Sequence, residues 1–127
     1  KKQGASRVGR ERKRVLLAED ETAVREVLTE MLRRMGWTVD AASCIEEALT
    51  LFQASPSELI ISDIRLGEES GHDLIQTIRD HGDAPKVLFI TGYSGQDRAR
   101  TTSGEHLLVK PFTKEDLQHA IEVTLGP

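Results

Sequence analysis

Hydrophobic positions along this chain follow two alternating rhythms. Short, nearly continuous apolar runs occur at Val15-Leu16-Leu17-Ala18, Trp37-Thr38-Val39, Leu59-Ile60-Ile61-Ser62-Asp63, Lys86-Val87-Leu88-Phe89-Ile90-Thr91 and Leu107-Leu108-Val109-Lys110. They read as five strands. Between them apolar residues return every three or four positions: Val24, Val27, Leu28, Met31, Leu32 and Met35, then Ala48, Leu49 and Phe52, then Leu74, Ile75 and Ile78, and last Leu117, Ile121 and Leu125. That is the spacing of one helical face. The punctuation agrees. Gly36 and Gly82 close the first and third helices and Pro56 stops the second, while Ser43 with Glu46 and Thr113 with Asp116 read as capping boxes. Strands of this kind separated by amphipathic helices predict an α/β fold, a doubly wound five-stranded parallel sheet covered on both faces. The segment 94–104 carries no apolar stripe, so the helix expected there, the fourth, is short or irregular.

Composition bounds the picture. A chain of 127 residues with 38% apolar residues builds one core and no second lobe. No stretch approaches the roughly 20 consecutive apolar residues of a membrane span, so no membrane contact is expected of this domain and a cytoplasmic setting suits it. Cys44 is the single cysteine, which excludes an intramolecular disulfide. An aromatic content of 4% argues against a base-stacking surface, and no direct nucleic-acid binding is expected. Charge is uneven. Residues 1–14 carry a net +6 and residues 15–127 a net −10. Residues 1–13 therefore read as a basic linker or disordered tail, with an arm touching nucleic acid or anionic lipid as the alternative, and residues 14–127 read as the folded unit. The chain does not begin with Met, which suggests a piece of something longer.

Candidate chemistry lies at the strand ends. In an open parallel sheet, ligands bind beyond the carboxyl ends of the strands. Glu19 and Asp20 follow the first strand, Asp63 ends the third, Thr91 the fourth and Lys110 the fifth. Carboxylates in close quarters repel unless something compensates. A hard divalent cation does so, and Mg²⁺ suits a few carboxylates, a carbonyl and waters, leaving room for a phosphate oxygen. Lys110 adds a second positive charge and Thr91 a hydroxyl donor. The set fits phosphoryl transfer, with Asp63 as the nucleophile that forms an acyl phosphate.

Four motifs, in this order, make the sequence recognisable: Val15-Leu16-Leu17-Ala18-Glu19-Asp20-Glu21, Ser62-Asp63-Ile64-Arg65-Leu66 followed by Ser70-Gly71, Thr91-Gly92-Tyr93, and Lys110-Pro111-Phe112. Over nearly all of residues 14–127 the chain resembles the receiver domain of bacterial two-component systems. The resemblance implies a flavodoxin-like sheet of order 2-1-3-4-5. It also implies that Asp63 is phosphorylated by a histidine kinase, a histidine phosphotransfer domain or a small acyl-phosphate donor. Glu19, Asp20, Asp63 and the carbonyl of Arg65 would hold Mg²⁺, and Thr91 and Lys110 the phosphoryl oxygens. By the same analogy Arg65 and Tyr93 tune dephosphorylation, and Lys110-Pro111 is a cis peptide.

Departures from the family pattern shape the reading. Glu19 stands where many members have Asp. Gly67 stands where Pro is usual, which predicts a looser 66–70 segment. Leu107 replaces the aromatic of the switch mechanism, and the interval from Thr91 to Lys110 is short, which argues for a monomer over a dimerising regulator. Thr-Gly-Tyr, the shortened fourth helix and Leu-Leu before Lys-Pro-Phe suit the receiver of a hybrid sensor histidine kinase. The alternatives are a stand-alone receiver, a regulator trimmed of its output domain, and a docking module that is not phosphorylated. A haloacid-dehalogenase-type phosphatase is disfavoured because Arg65 occupies the place of its second Asp. His72, His81, His106 and His119 share no ligand spacing and read as surface residues. Glu21 belongs to the first turn of its helix, where its charge suits the dipole.

Overall fold

The computed structural model describes residues 13–92 and 106–126. Its elements are β1 (Arg14–Ala18), α1 (Thr22–Arg34), β2 (Thr38–Ala42), α2 (Ile45–Ala54), β3 (Leu59–Asp63), the two-residue strands β4 (Arg65–Leu66) and β5 (Glu69–Ser70), α3 (Gly71–Asp80), β6 (Lys86–Thr91), β7 (His106–Val109) and α4 (Lys114–Leu125). The main sheet has the order β2-β1-β3-β6-β7 with every pairing parallel. Counting only its five strands, this is the expected 2-1-3-4-5 arrangement. The 94–104 segment lies outside the described residues.

Each strand sends successive side chains to opposite faces, and the core divides accordingly. Leu16, Ala18, Ile60, Val87 and Phe89 pack with Ala48 and Phe52 of α2 and with Leu74, Ile75 and Ile78 of α3. Val15, Leu17, Leu59, Ile61, Leu88 and Ile90 pack with Leu28 and Leu32 of α1 and with Leu117 and Ile121 of α4. The central strands β1, β3 and β6 are buried over nearly all their length, and their polar residues lie at or next to their ends. The edge strand β2 is only partly buried and carries Asp40 at its middle, paired with Arg14 at 2.7 Å.

Local details refine the expectations. Trp37 is buried but precedes β2; its N–H donates to the Leu32 carbonyl at the end of α1. Lys13, from the basic segment, donates to the Met35 carbonyl at 3.2 Å and lies 5.2 Å over the Trp37 ring. The capping box assigned to Ser43 and Glu46 does not form: Cys44 is the N-cap of α2 and its side chain makes no capping bond, while Glu47 reaches back to accept from the Ser43 N–H and hydroxyl. The box formed by Thr113 and Asp116 is present as read. Gly36 and Gly82 follow the ends of α1 and α3 with φ of 99° and 94°, a backbone region that favours glycine. His72 is half-buried, not a surface residue, with its ring 4.6 Å from that of Phe89.

Val27 departs from its periodicity. It is 59% exposed, whereas its neighbour Leu28 is 2% exposed. Leu28→Ala is expected to cost about 2–5 kcal/mol of unfolding free energy and Val27→Ala less than about 0.5 kcal/mol, read by urea denaturation. Equal losses would mean that α1 packs through a different face.

Candidate functional site

At the end of β1 the chain keeps one more sheet bond, from the Glu19 N–H to the Ala42 carbonyl at 3.0 Å, before turning into α1. The Glu19 side chain folds back so that Oε2 accepts from the Glu21 N–H at 3.0 Å. Glu21 is the N-cap of α1, consistent with its assignment to the helix entrance. Asp63, the last residue of β3, accepts at Oδ1 from the Arg65 N–H and at Oδ2 from Lys110 Nζ, both at 3.0 Å. Lys110 follows β7, its peptide to Pro111 is cis, and its N–H donates to the carbonyl of Thr91 at 2.8 Å. Thr91 is buried at the end of β6. The carboxyl ends of β1, β3, β6 and β7 thus meet at one place.

Glu19, Asp20 and Asp63 each offer one carboxylate oxygen to a group whose members lie within 4.8 Å of one another. Lys110 Nζ is 3.0 Å from Asp63 Oδ2 and 3.6 Å from Glu19 Oε1. Burial is the main cause that drives the Glu19 carboxyl up to about 7, aided by the neighbouring Asp63 and opposed by the Glu21 N–H and the Lys110 charge. Burial alone lowers the Lys110 ammonium, but the hydrogen bond and charge of Asp63, joined by Glu19, outweigh it and leave the group raised. Lys110 therefore remains charged beside Asp63. Glu19 Oε1 is buried without a hydrogen-bond partner. A buried acceptor with nothing to accept from, inside a set of three carboxylates, fits an oxygen-seeking divalent cation.

Between β3 and α3 the structure differs from the looser segment expected. β4 and β5 form a short antiparallel pair, Arg65 opposite Ser70 and Leu66 opposite Glu69. Gly67 turns the chain with φ of 65°, and its N–H donates to Asp20 Oδ2 at 3.0 Å. Glu69 Oε1 accepts from the Ile45 N–H of α2 at 3.3 Å. The Gly67 and Glu69 ties were not apparent in the sequence, because both join residues distant along the chain. Of the residues expected at the site, Glu19, Asp20, Asp63, Lys110 and the Arg65 main chain are joined by these contacts, and Thr91 by its bond to Lys110. Leu107 lies on β7 and packs against the core on the α2–α3 side. Tyr93 lies outside the described residues.

Gly71 sets a close approach. A Cβ there would collide with the Asp63 carbonyl oxygen and stand 2.8 Å from Ser62 Oγ, and the Gly71 N–H donates to the Ile64 carbonyl at 2.7 Å. The glycine lets α3 start directly against the backbone that presents Asp63. Gly71→Ala is expected to lower stability by about 1–3 kcal/mol in denaturant titrations, and a neutral effect would mean that this approach is not obligatory. A second expectation concerns pH. A folded-state value near 7 for Glu19, above its ordinary 4.5, means that the native state holds a proton the unfolded chain has released. That contribution is therefore favourable at low pH and lost as pH rises from about 4.5 through 7. In chelator, wild type should lose stability relative to Glu19→Gln between pH 5 and pH 8; a constant difference would exclude an unusual Glu19.

Comparison with known proteins follows this geometry closely. Residues 15–122 match the response regulator receiver domain family. The chain is 37% identical over 118 residues to the transcriptional regulatory protein PdtaR of Mycobacterium tuberculosis, covering 90% of this chain and 57% of that protein. It therefore spans little more than half the length of that relative. Among solved structures it resembles the receiver domain of the hybrid histidine kinase CckA, with 31% identity, a TM-score of 0.75 and coverage of 89% and 99% of the two chains. It also resembles the response regulator TrrA of Thermotoga maritima in complex with Mg²⁺ and BeF, with 32% identity, a TM-score of 0.76 and coverage of 86% and 96%. With its sheet order, its crowded carboxylates and its strand-end lysine, this chain belongs to the response regulator receiver domain family.

Proposed function

We propose that the domain is a phosphoacceptor switch whose Asp63 takes a phosphoryl group from a phosphohistidine, on a histidine kinase or a histidine phosphotransfer domain, or from a small acyl phosphate. The observation that carries this reading is the meeting of Glu19, Asp20 and Asp63 with Lys110, whose ammonium lies 3.0 Å from the Asp63 carboxylate. Asp63 forms an oxygen–phosphorus bond as the bond from phosphorus to the donor nitrogen or oxygen breaks, and the donor leaves with that electron pair. The Arg65 N–H steadies one Asp63 oxygen while Lys110 approaches the other, ready to pair with phosphoryl charge. Thr91, at the adjoining strand end, supplies a hydroxyl for a phosphoryl oxygen. Glu19, Asp20, Asp63 and the Arg65 carbonyl would hold Mg²⁺, which neutralises the crowded negative charge during transfer.

Residues 14–127 form the receiver unit in this reading and 1–13 a basic linker. No helix among the described residues is long and apolar enough to cross a membrane. In this reading the module is cytoplasmic and monomeric. The likeness to CckA supports a place in a hybrid sensor kinase. The higher identity to PdtaR supports a regulator instead. Rapid, reversible exchange of the phosphoryl group with a histidine phosphotransfer domain favours the first, and one-way acceptance from a kinase the second.

Intact mass after incubation with Mg²⁺ and acetyl phosphate tests the core of the proposal. One added phosphoryl group is expected on wild type and none on Asp63→Asn or with chelator. Lys110→Ala should slow labelling by about tenfold or more, a loss of at least ~1.4 kcal/mol of transition-state stabilisation. Labelling that persists in Asp63→Asn would move the acceptor to another residue.

A further inference from the structure

Arg25 lies on α1, one turn into the helix, and its side chain turns back past the helix start. Its Nη1 donates to the main-chain carbonyl of Glu19 at 2.8 Å, and its Nη2 reaches Thr22 Oγ1 at 3.4 Å. The first helical bond, from the Arg25 N–H to the Glu21 carbonyl at 2.9 Å, fixes where that side chain begins. We infer that Arg25 is a positioning residue for the acidic turn, setting the Glu19–Asp20 peptide so that both carboxylates face the place a cation takes. The inference rests on the proposed phosphoacceptor reading.

The chemistry of the contact supports this role. A guanidinium placed on the carboxylates themselves would compete with a metal for their oxygens. Arg25 takes the backbone carbonyl, so the oxygens of Glu19 and Asp20 stay available. Glu19 is then held at three points: its N–H on Ala42, its carbonyl on Arg25 and its Oε2 on the Glu21 N–H. Rotation of the Glu19–Asp20 peptide would turn Asp20 away from the Gly67 N–H that it accepts.

The test compares wild type, Arg25→Ala and Arg25→Lys by Mg²⁺ calorimetry, by melting in chelator and by amide hydrogen exchange in chelator. Lysine can still donate to the Glu19 carbonyl but cannot span to Thr22. Arg25→Ala is expected to weaken Mg²⁺ binding about tenfold, and Arg25→Lys to recover most of the loss. Labelling by acetyl phosphate at saturating Mg²⁺ should fall by less than about threefold, because Asp63 itself is untouched. In chelator, Glu21 and Gly67 amides should exchange faster in Arg25→Ala while Leu28 exchange and the melting temperature hold. Unchanged Mg²⁺ affinity in Arg25→Ala, or equal losses in both variants, overturns the inference while wild-type labelling leaves the function standing. A wild type that neither binds Mg²⁺ nor is labelled overturns both.

Discussion

Crowding of negative charge at one edge of the sheet is the constraint on which the rest of this structure depends. Three carboxylates share a space less than 5 Å across, and one of them is almost fully buried. Such a group is unfavourable by itself, and among the described residues the ammonium that approaches it is Lys110. The partial remedy is visible in the charges. Lys110 lies at bonding distance from Asp63 and 3.6 Å from Glu19, whose carboxyl is raised to about 7 chiefly by its burial. A site built this way favours whatever brings more positive charge.

The fold makes this crowding possible at tolerable cost. The central strands β1, β3 and β6, buried on both faces, leave no room for polar side chains at mid-length, so theirs collect where the strands stop. Because β1 and β3 are neighbours in register, Ala18 beside Ser62, their next residues are delivered side by side. β3 and β6 pair Asp63 with Ile90, which sets Thr91 one step beyond. Gly71 then brings α3 hard against the Asp63 backbone. Stability and function share the same residues here, since the register that completes the core also sets the distances between the charges.

Much of this could be read from the sequence, for physical reasons. Buried parallel strands announce themselves as apolar runs, and β3 and β6 have the limits read from Leu59-Ile60-Ile61-Ser62-Asp63 and from Lys86 through Thr91. Helical faces read well where packing decides them, as for Leu74, Ile75 and Ile78. Val27 misled because three-residue spacing from Val24 also fits the flank of a face, and the flank of α1 is exposed. His72 misled because polarity suggests the surface, while an imidazole has enough flat area to pack on Phe89. The cap of α2 slipped because Glu46 and Glu47 are chemically equal, and only the backbone geometry at Cys44 chooses between them. Strand-end acids, hydroxyl and lysine were legible individually. Long-range ties such as Gly67 to Asp20 were not, since no local rule pairs residues 47 apart.

Two departures from the family pattern answer one another. Glu19 brings a methylene more than aspartate, and the structure accommodates it by folding the side chain back onto the Glu21 N–H, which buries the carboxylate. That leaves Asp20 as the exposed member of the acidic pair. Gly67 supplies the restraint. A proline there has no N–H to give and fixes φ near −65°, whereas this glycine sits at +65° and donates to Asp20. The glycine therefore does not simply loosen the segment after Asp63. It ties the turn between β4 and β5 to one of the three clustered carboxylates, so a contact 47 residues apart in sequence fixes both the turn and the acidic pair.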